Sequence, residues 1–418
     1  MSKKPSRQKQ DTRLAHAGRE PKRFHGFVNP PIYRGSTVLF SSVASLETND
    51  QEFTYGRLGT PTVRALEEAI AELEGGHATL LTPSGLSAIA TTLLALVSAG
   101  DHVLISDSVY RPTRRFCDHV LKRLGVETTY YDPLVGAGIG DLIKGNTKVV
   151  LTESPGSQTF DVQDIPAIAD AAHATGATLV LDNTWATPLF FKPFAHGVDV
   201  SIQAATKYIV GHADAMLGAI TATKAAWPAI ARTHEDLGLC VGPEDAYLGL
   251  RGLRSLGVRL ARHQASGLEL ARWLGQRPEV ARVIHPALPS DPGHALWKRD
   301  FTGASGLFAI VLKPVSHDAV ATCSTGSSCS AWAILGAASK VSFSPSTRAP
   351  TARRPFGLSR ARRFACMSGL RMSTTSKPIS KRASRASLRK PEAIRDRSTR
   401  QRSLSDLRAH RDTGKRPH

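Results

Sequence analysis

Apolar residues recur along this chain in two rhythms. Short runs rich in β-branched residues, "DHVLIS", "VETTYY", "TKVVLTES", "ATLVLDN", "DVSIQA" and "GAITAT", read as strands. Several are separated by segments with apolar positions at helical spacing, such as "YRPTRRFCDHVLKRLG" and "IPAIADAAHATG". Ahead of them come "TVRALEEAIAELEGG", which ends on a Gly-Gly stop, and "SGLSAIATTLLALVSAG". Strands alternating with helices predict crossover units and a mainly parallel sheet covered on both faces, an α/β fold. Residues 1–60, rich in turn formers ("VNPPIYRGST", "TYGRLGTPT"), read as an extended arm. The sheet domain is expected over 61–256. A long amphipathic stretch at 243–275 leads into a smaller domain over 257–320, with "EVARVIHP" and "GLFAIVL" as its strands. The chain shows no internal repeat.

The stretch "DVSIQAATKYIVGHADAML" raises a chemical question, because it delivers Lys207 just after an apolar strand. In open α/β sheets ligand chemistry gathers at the carboxyl ends of strands. A second such end, "ATLVLDNTW", finishes on Asp182. A partly desolvated Lys has a depressed pKa and forms an imine with an aldehyde. A nearby Asp holds a heterocyclic nitrogen protonated, and the two together are the arrangement for pyridoxal phosphate. "TPSGLSAIA" offers a phosphate cradle, with Ser84, Gly85 and Leu86 opening a helix whose N–H groups favour an anion. Tyr110, at the start of another helix, is placed to stack on the ring. Each residue alone has an ordinary reading: a surface Lys, an Asp that caps a turn, a good helix start, a packing Tyr. His173 and His212 lack metal-ligand spacing, and no metal site is expected. The conjunction is what points to the cofactor.

Composition changes the picture in one place. The 418 residues carry a formal charge of +19, which invites a nucleic-acid reading. Yet residues 321–418 hold 22 Lys and Arg against 4 Asp and Glu, leaving 32 against 31 in the first 320. The body is a balanced protein, and the tail alone makes the chain basic. The tail has no aromatic interleaving or folded reader, so no specific nucleic-acid partner is expected. Five cysteines without a CxxC pair fit reduced thiols. The absence of a long apolar run excludes a transmembrane helix, and the basic N-terminus lacks a secretory core, so a cytoplasmic protein is expected.

The motifs "YGRLGTPT", "TPSGLSAI", "ISDSVYRPTRRFC", "ESPGSQTFDVQDIPAIA", "LDNTWATPLFFKP" and "SIQAATKYIVGHADAMLG" occur in order over roughly residues 10–320. Through them the chain resembles the Cys/Met-metabolism family of pyridoxal-phosphate enzymes, on its β-lyase branch. The resemblance implies fold type I of the pyridoxal-phosphate transferases, which is aspartate-aminotransferase-like. It implies Lys207 as the imine lysine and α-proton base, Asp182 as partner of the pyridine nitrogen, and Tyr110 on the ring. Gly85, Leu86 and Thr206 would hold the phosphate. Tyr55 and Arg57 match residues that reach the phosphate of a neighbouring subunit, so a homodimer or homotetramer is implied. Ala204 stands where many relatives have a phosphate-binding Ser. The implied reaction is β-elimination of cystathionine to homocysteine, pyruvate and ammonia. "ESPGSQTF" favours it over the γ-lyase and γ-synthase relatives, which more often show "ESPxNP".

From "TCSTGSSCSAWAIL" onward the family pattern gives way to Arg- and Ser-rich sequence. A disordered basic tail or a non-catalytic, nucleic-acid-binding product would fit it. Reading the third base of each codon with the first two of the next gives another account. Residues 321–342 then permit "DLLDRLKLFGMGYSWGGFESL", and 363–384 permit "LRLHVGLEDVDDLKADLEAGF". Both look like the family's C-terminal domain, which implies a one-base slip near codons 318–321. The resemblance assigns the substrate carboxylate to the Arg of "LRxH", and the chain as written does not present it.

Overall fold

The computed structural model describes residues 9–157 and 159–314, with strand backbones at 330–331, 341–342, 344–346 and 363–367. The principal elements run α1 (Gln10–His16), α2 (Val43–Thr48), α3 (Pro61–Glu74), β1 (Ala78–Thr82), α4 (Gly85–Leu96), β2 (His102–Ser106), α5 (Arg111–Phe116), β3 (Glu127–Tyr131), β4 (Thr147–Glu153) and α6 (Ile165–Ala174). They continue through β5 (Thr178–Asp182), α7 (Thr187–Phe190), β6 (Val200–Gln203), β7 (Gly218–Ala222), α8 (Trp227–Asp236), α9 (Pro243–Gly275), β8 (Val280–Ile284), α10 (His294–Asp300) and β9 (Leu307–Leu312). All of these belong to a unit spanning 1–373; a second unit, 374–418, lies outside the described residues. So does the expected frame-slipped tail over 321–418, apart from the strand backbones just named.

Seven strands form one sheet in the order β1-β7-β6-β5-β4-β2-β3. The five from β6 to β3 pair in parallel, and β7 joins antiparallel to both β6 and β1. All six strands read from the sequence are present. β1 is additional: "ATLLT" carries no clean alternation, and its place comes from pairing with β7. Parallel strands are buried on both faces and so read as continuous apolar runs. Val103, Ile105, Val149, Leu151 and Val180 pack with Ala88, Ile89 and Leu93 of α4. Leu104, Val150, Leu179 and Leu181 face the other way, onto Ile165, Ile168 and Ala172 of α6. The fold is the α/β, mainly parallel architecture expected.

Helix ends follow local chemistry. Thr60 caps α3 by accepting from Val63 N–H, Pro61 opens it, and Gly75 closes it at φ +86°. α9 runs 33 residues and passes unbroken through 256–257, where the sequence places a domain boundary. Its early part packs with α3 through Leu250, Leu253 and Leu66, and its end meets β8 and β9 through Ala271. The first sixty residues are not wholly extended. α1 forms within them because Leu14, only 3 % exposed, buries against α3 and α9. β8 and β9 belong to a second, four-stranded sheet completed by Ser344–Ser346 and Arg363–Met367. Trp185 reaches that sheet, its indole N–H donating to Leu307 O at 3.0 Å.

Candidate active site

The two-residue period of a strand decides which strand ends meet. Leu151, Val180 and Ile202 lie on the α4 face, so Glu153, Asp182 and Ala204, two residues on, point the same way. Ser201 and Gln203 take the opposite face and bond the Glu74 carboxylate of α3, at 3.0 and 2.6 Å. The carboxyl ends of β4, β5 and β6 therefore present their side chains toward the N-terminus of α4.

Asp182 is 7 % exposed. Its Oδ1 accepts from Thr184 N–H at 3.0 Å and Thr184 Oγ1 at 2.5 Å. Thr184 Oγ1 in turn accepts from Ala204 N–H at 2.8 Å, so one hydroxyl ties the end of β5 to the segment carrying Lys207. Burial raises the Asp182 pKa, while the Thr184 bonds and the Lys207 charge pull it down. Lys207 is half-buried. Burial lowers its pKa and the Asp182 carboxylate partly restores it. An amine held in this way is more easily neutral, as a nucleophile or base must be.

The turn bearing Lys207 is fixed from α9. Arg259, 4 % exposed, donates to Tyr208 O at 2.7 Å and Gly252 O at 2.9 Å. Its guanidinium occupies the space a Cβ on Gly211 would need, 2.2 Å from Nη1, and Gly211 sits at φ +77°. Burial without a carboxylate partner lowers its pKa to about 10.

At the start of α4, Ser84 accepts from Ser87 N–H at 3.1 Å. The Gly85 and Leu86 N–H groups are the first two of the helix and have no intrahelical acceptor. A Cβ on Gly85 would lie 2.6 Å from Ala204 Cβ, so only glycine lets α4 approach β6 this closely. Thr206, the other expected phosphate residue, turns its hydroxyl to Leu217. It donates to Leu217 O at 3.0 Å and accepts from Leu217 N–H at 2.7 Å. Tyr110 caps α5, and its N–H donates to Glu153 Oε2 at 2.7 Å. Burial first, then the Glu153 and Asp182 carboxylates, raise the Tyr110 phenol.

Lys207, Asp182, Tyr110, Gly85, Leu86 and Thr206 thus gather around the ends of β4–β6. Tyr55 and Arg57 do not join them. Arg57 donates to Glu235 O at 3.0 Å and lies 5.8 Å from the Tyr55 ring centre, beside a cavity of about 180 Å³ lined by Leu81, His234 and Val241. Sequence reasoning missed Glu153, Thr184 and Arg259. Glu153 ends a strand as Asp182 does, so the same rule could have found it; one Arg among the five of a long helix offers no such signal.

These residues fit pyridoxal phosphate. They supply free N–H groups at a helix start where Ala204 leaves Gly85 no room for a side chain, a buried carboxylate for the ring nitrogen, and a half-buried amine. Among the described residues no group of three His, Cys, Asp or Glu side chains is placed to hold a metal ion. No described helix is long and apolar enough to cross a membrane.

The chain is 47 % identical to the cystathionine β-lyase of Escherichia coli over 312 residues, 73 % of this chain and 79 % of that protein. It is 34 % identical to the L-methionine γ-lyase of Fusobacterium nucleatum over 309 residues, 72 % of this chain and 78 % of that protein. The crystal structure of metB from Corynebacterium glutamicum superposes with a TM-score of 0.82 at 28 % identity, covering 91 % of this chain and 97 % of that one. Residues 11–348 match the family described as Cys/Met metabolism PLP-dependent enzyme. With Lys207, Asp182 and the Gly85 cradle on one face of the matching fold, the chain belongs to the Cys/Met-metabolism family of pyridoxal-phosphate-dependent enzymes.

Proposed function

We propose that this chain breaks a carbon–sulfur bond by β-elimination, converting L-cystathionine and water to homocysteine, pyruvate and ammonia in methionine biosynthesis. The observation that carries the reading is the convergence of Lys207 and Asp182 with the α4 N-terminus. The higher identity to a cystathionine β-lyase than to a γ-lyase, 47 % against 34 %, supports β- over γ-elimination. Bound pyridoxal phosphate supplies the electron sink for the α-carbanion.

The chain's own groups do the rest. Lys207 Nζ, with its pKa lowered by burial, takes the substrate α-proton. Asp182, held by Thr184, would keep the proton on the ring nitrogen. The Tyr110 ring would stack on the cofactor, while the Gly85 and Leu86 N–H groups and Thr206 would hold its phosphate. Tyr55 and Arg57 serve the neighbouring subunit of a homodimer or homotetramer, and the enzyme works in the cytoplasm. The substrate-carboxylate Arg belongs to the frame hidden behind residues 321–418. Resequencing codons 310–345 tests that part: an added or missing base supports it, and a confirmed reading removes it. For the reaction, cystathionine turnover by the frame-restored chain is scored for pyruvate and 2-oxobutyrate. Pyruvate is expected; 2-oxobutyrate would assign a γ-lyase.

A further inference from the structure

We infer that Glu153 is a positioning residue of this site, protonated beside an ionised Asp182 and holding the Tyr110 backbone where the ring must lie. The inference rests on the pyridoxal-phosphate reading above for its purpose, and on the apoprotein for its geometry. β4 and β5 run parallel with Glu153 directly opposite Asp182, and such register partners project side by side from one face of the sheet. Two carboxylates so placed, Asp182 buried and Glu153 half-buried, do not both ionise.

What surrounds each decides which keeps the charge. Asp182 receives two hydrogen bonds from Thr184 and faces the Lys207 cation. Glu153 receives Tyr110 N–H at 2.7 Å and the Ser157 donors, with no cation among its influences. Among the described residues, the titratable groups acting on the pair are Lys207 after β6 and Tyr110 at the start of α5, of which Lys207 is the positive one. The negative charge therefore settles on Asp182 and the proton on Glu153; burial and the Asp182 charge raise the Glu153 pKa in the same sense. A protonated Glu153 has a proton to donate and still accepts from Tyr110 N–H. A glutamine does both jobs, since its amide has a donor and an acceptor; a leucine does neither.

The test uses the full chain and two readouts. The first is the infrared C=O stretch of protonated carboxylic acids in the cofactor-free protein at neutral pH, wild type minus Glu153→Gln. The inference expects the wild type to show one protonated carboxyl that the variant lacks; an unchanged band overturns it. The second is pyridoxal-phosphate affinity by absorbance titration. Glu153→Gln should bind within about threefold of wild type, while Glu153→Leu, losing buried hydrogen bonds, should bind roughly tenfold to a hundredfold more weakly. A Gln variant as weak as the Leu variant would make Glu153 an anion at work and overturn the inference. If Glu153→Leu does not fold, the Gln comparison still decides. A wild type that binds no pyridoxal phosphate would sink the cofactor reading, and the infrared result would still judge the protonation of Glu153.

Discussion

Around Lys207, most of what the site requires is set by single atoms. The Cβ that alanine would add at Gly85 lies 2.6 Å from Ala204 Cβ and 2.9 Å from its Cα, and backbone cannot yield as a side-chain tip can. Gly85→Ala should therefore push α4 off β6 and weaken pyridoxal-phosphate binding by about tenfold to a hundredfold, the equivalent of a moderate overpacking strain. A fluorescence titration of both proteins measures this, with circular dichroism to confirm that the fold is kept. Thr184 is a second such point, because its hydroxyl serves Asp182 and Ala204 N–H together. Thr184→Val keeps the shape and removes both bonds. Its expected cost is about tenfold in cofactor affinity, and unchanged binding would remove Thr184 from the site. Lys207, Asp182, Tyr110 and Gly85 were legible in the sequence because strand ends and helix starts leave marks in short motifs. Arg259 was not: it acts across 51 residues on the Tyr208 carbonyl, and nothing near it in the chain announces that contact.

Two elements carry that local geometry. α9 approaches the Lys207 turn so closely that a Cβ on Gly252 would lie 2.1 Å from Ile209 O. Gly252→Ala should lower stability by about 1–3 kcal/mol, read as a reduced urea midpoint with unchanged slope. α3 holds the other face through Glu74, which is 1 % exposed and bonds Ser201 and Gln203 of β6. Burial lifts the Glu74 pKa from 4.5 to about 7. Between those values the folded protein holds a proton that the unfolded chain has lost. Stability from this group is therefore fully present at the acid end and falls as pH rises to about 7, by on the order of 3 kcal/mol. Glu67, also raised to about 7, adds a fall of the same sign. Urea midpoints across this range should decline less steeply in Glu74→Gln than in wild type; parallel declines would show that Glu74 does not titrate there. Periodicity found α3 and α9 and six of the seven strands. It missed β1, five residues without alternation whose identity comes from its neighbour β7.

On the scale of the whole molecule, a balanced body of 320 residues carries the cofactor chemistry and a basic stretch of 98 follows it. The fold class was legible because alternating strands and helices admit few topologies, and that pattern fills the body. The domain boundary expected at 256–257 falls inside α9, which continues past it as one helix. Lys207, Asp182 and Gly85 all lie in the body, so the chain as written keeps its cofactor residues. Borohydride reduction of the loaded full chain followed by peptide mapping reads out whether Lys207 carries pyridoxal phosphate. A pyridoxyl group is expected on the peptide containing Lys207, with its loss in Lys207→Ala. A label on another lysine, or an equal label in Lys207→Ala, would contradict it.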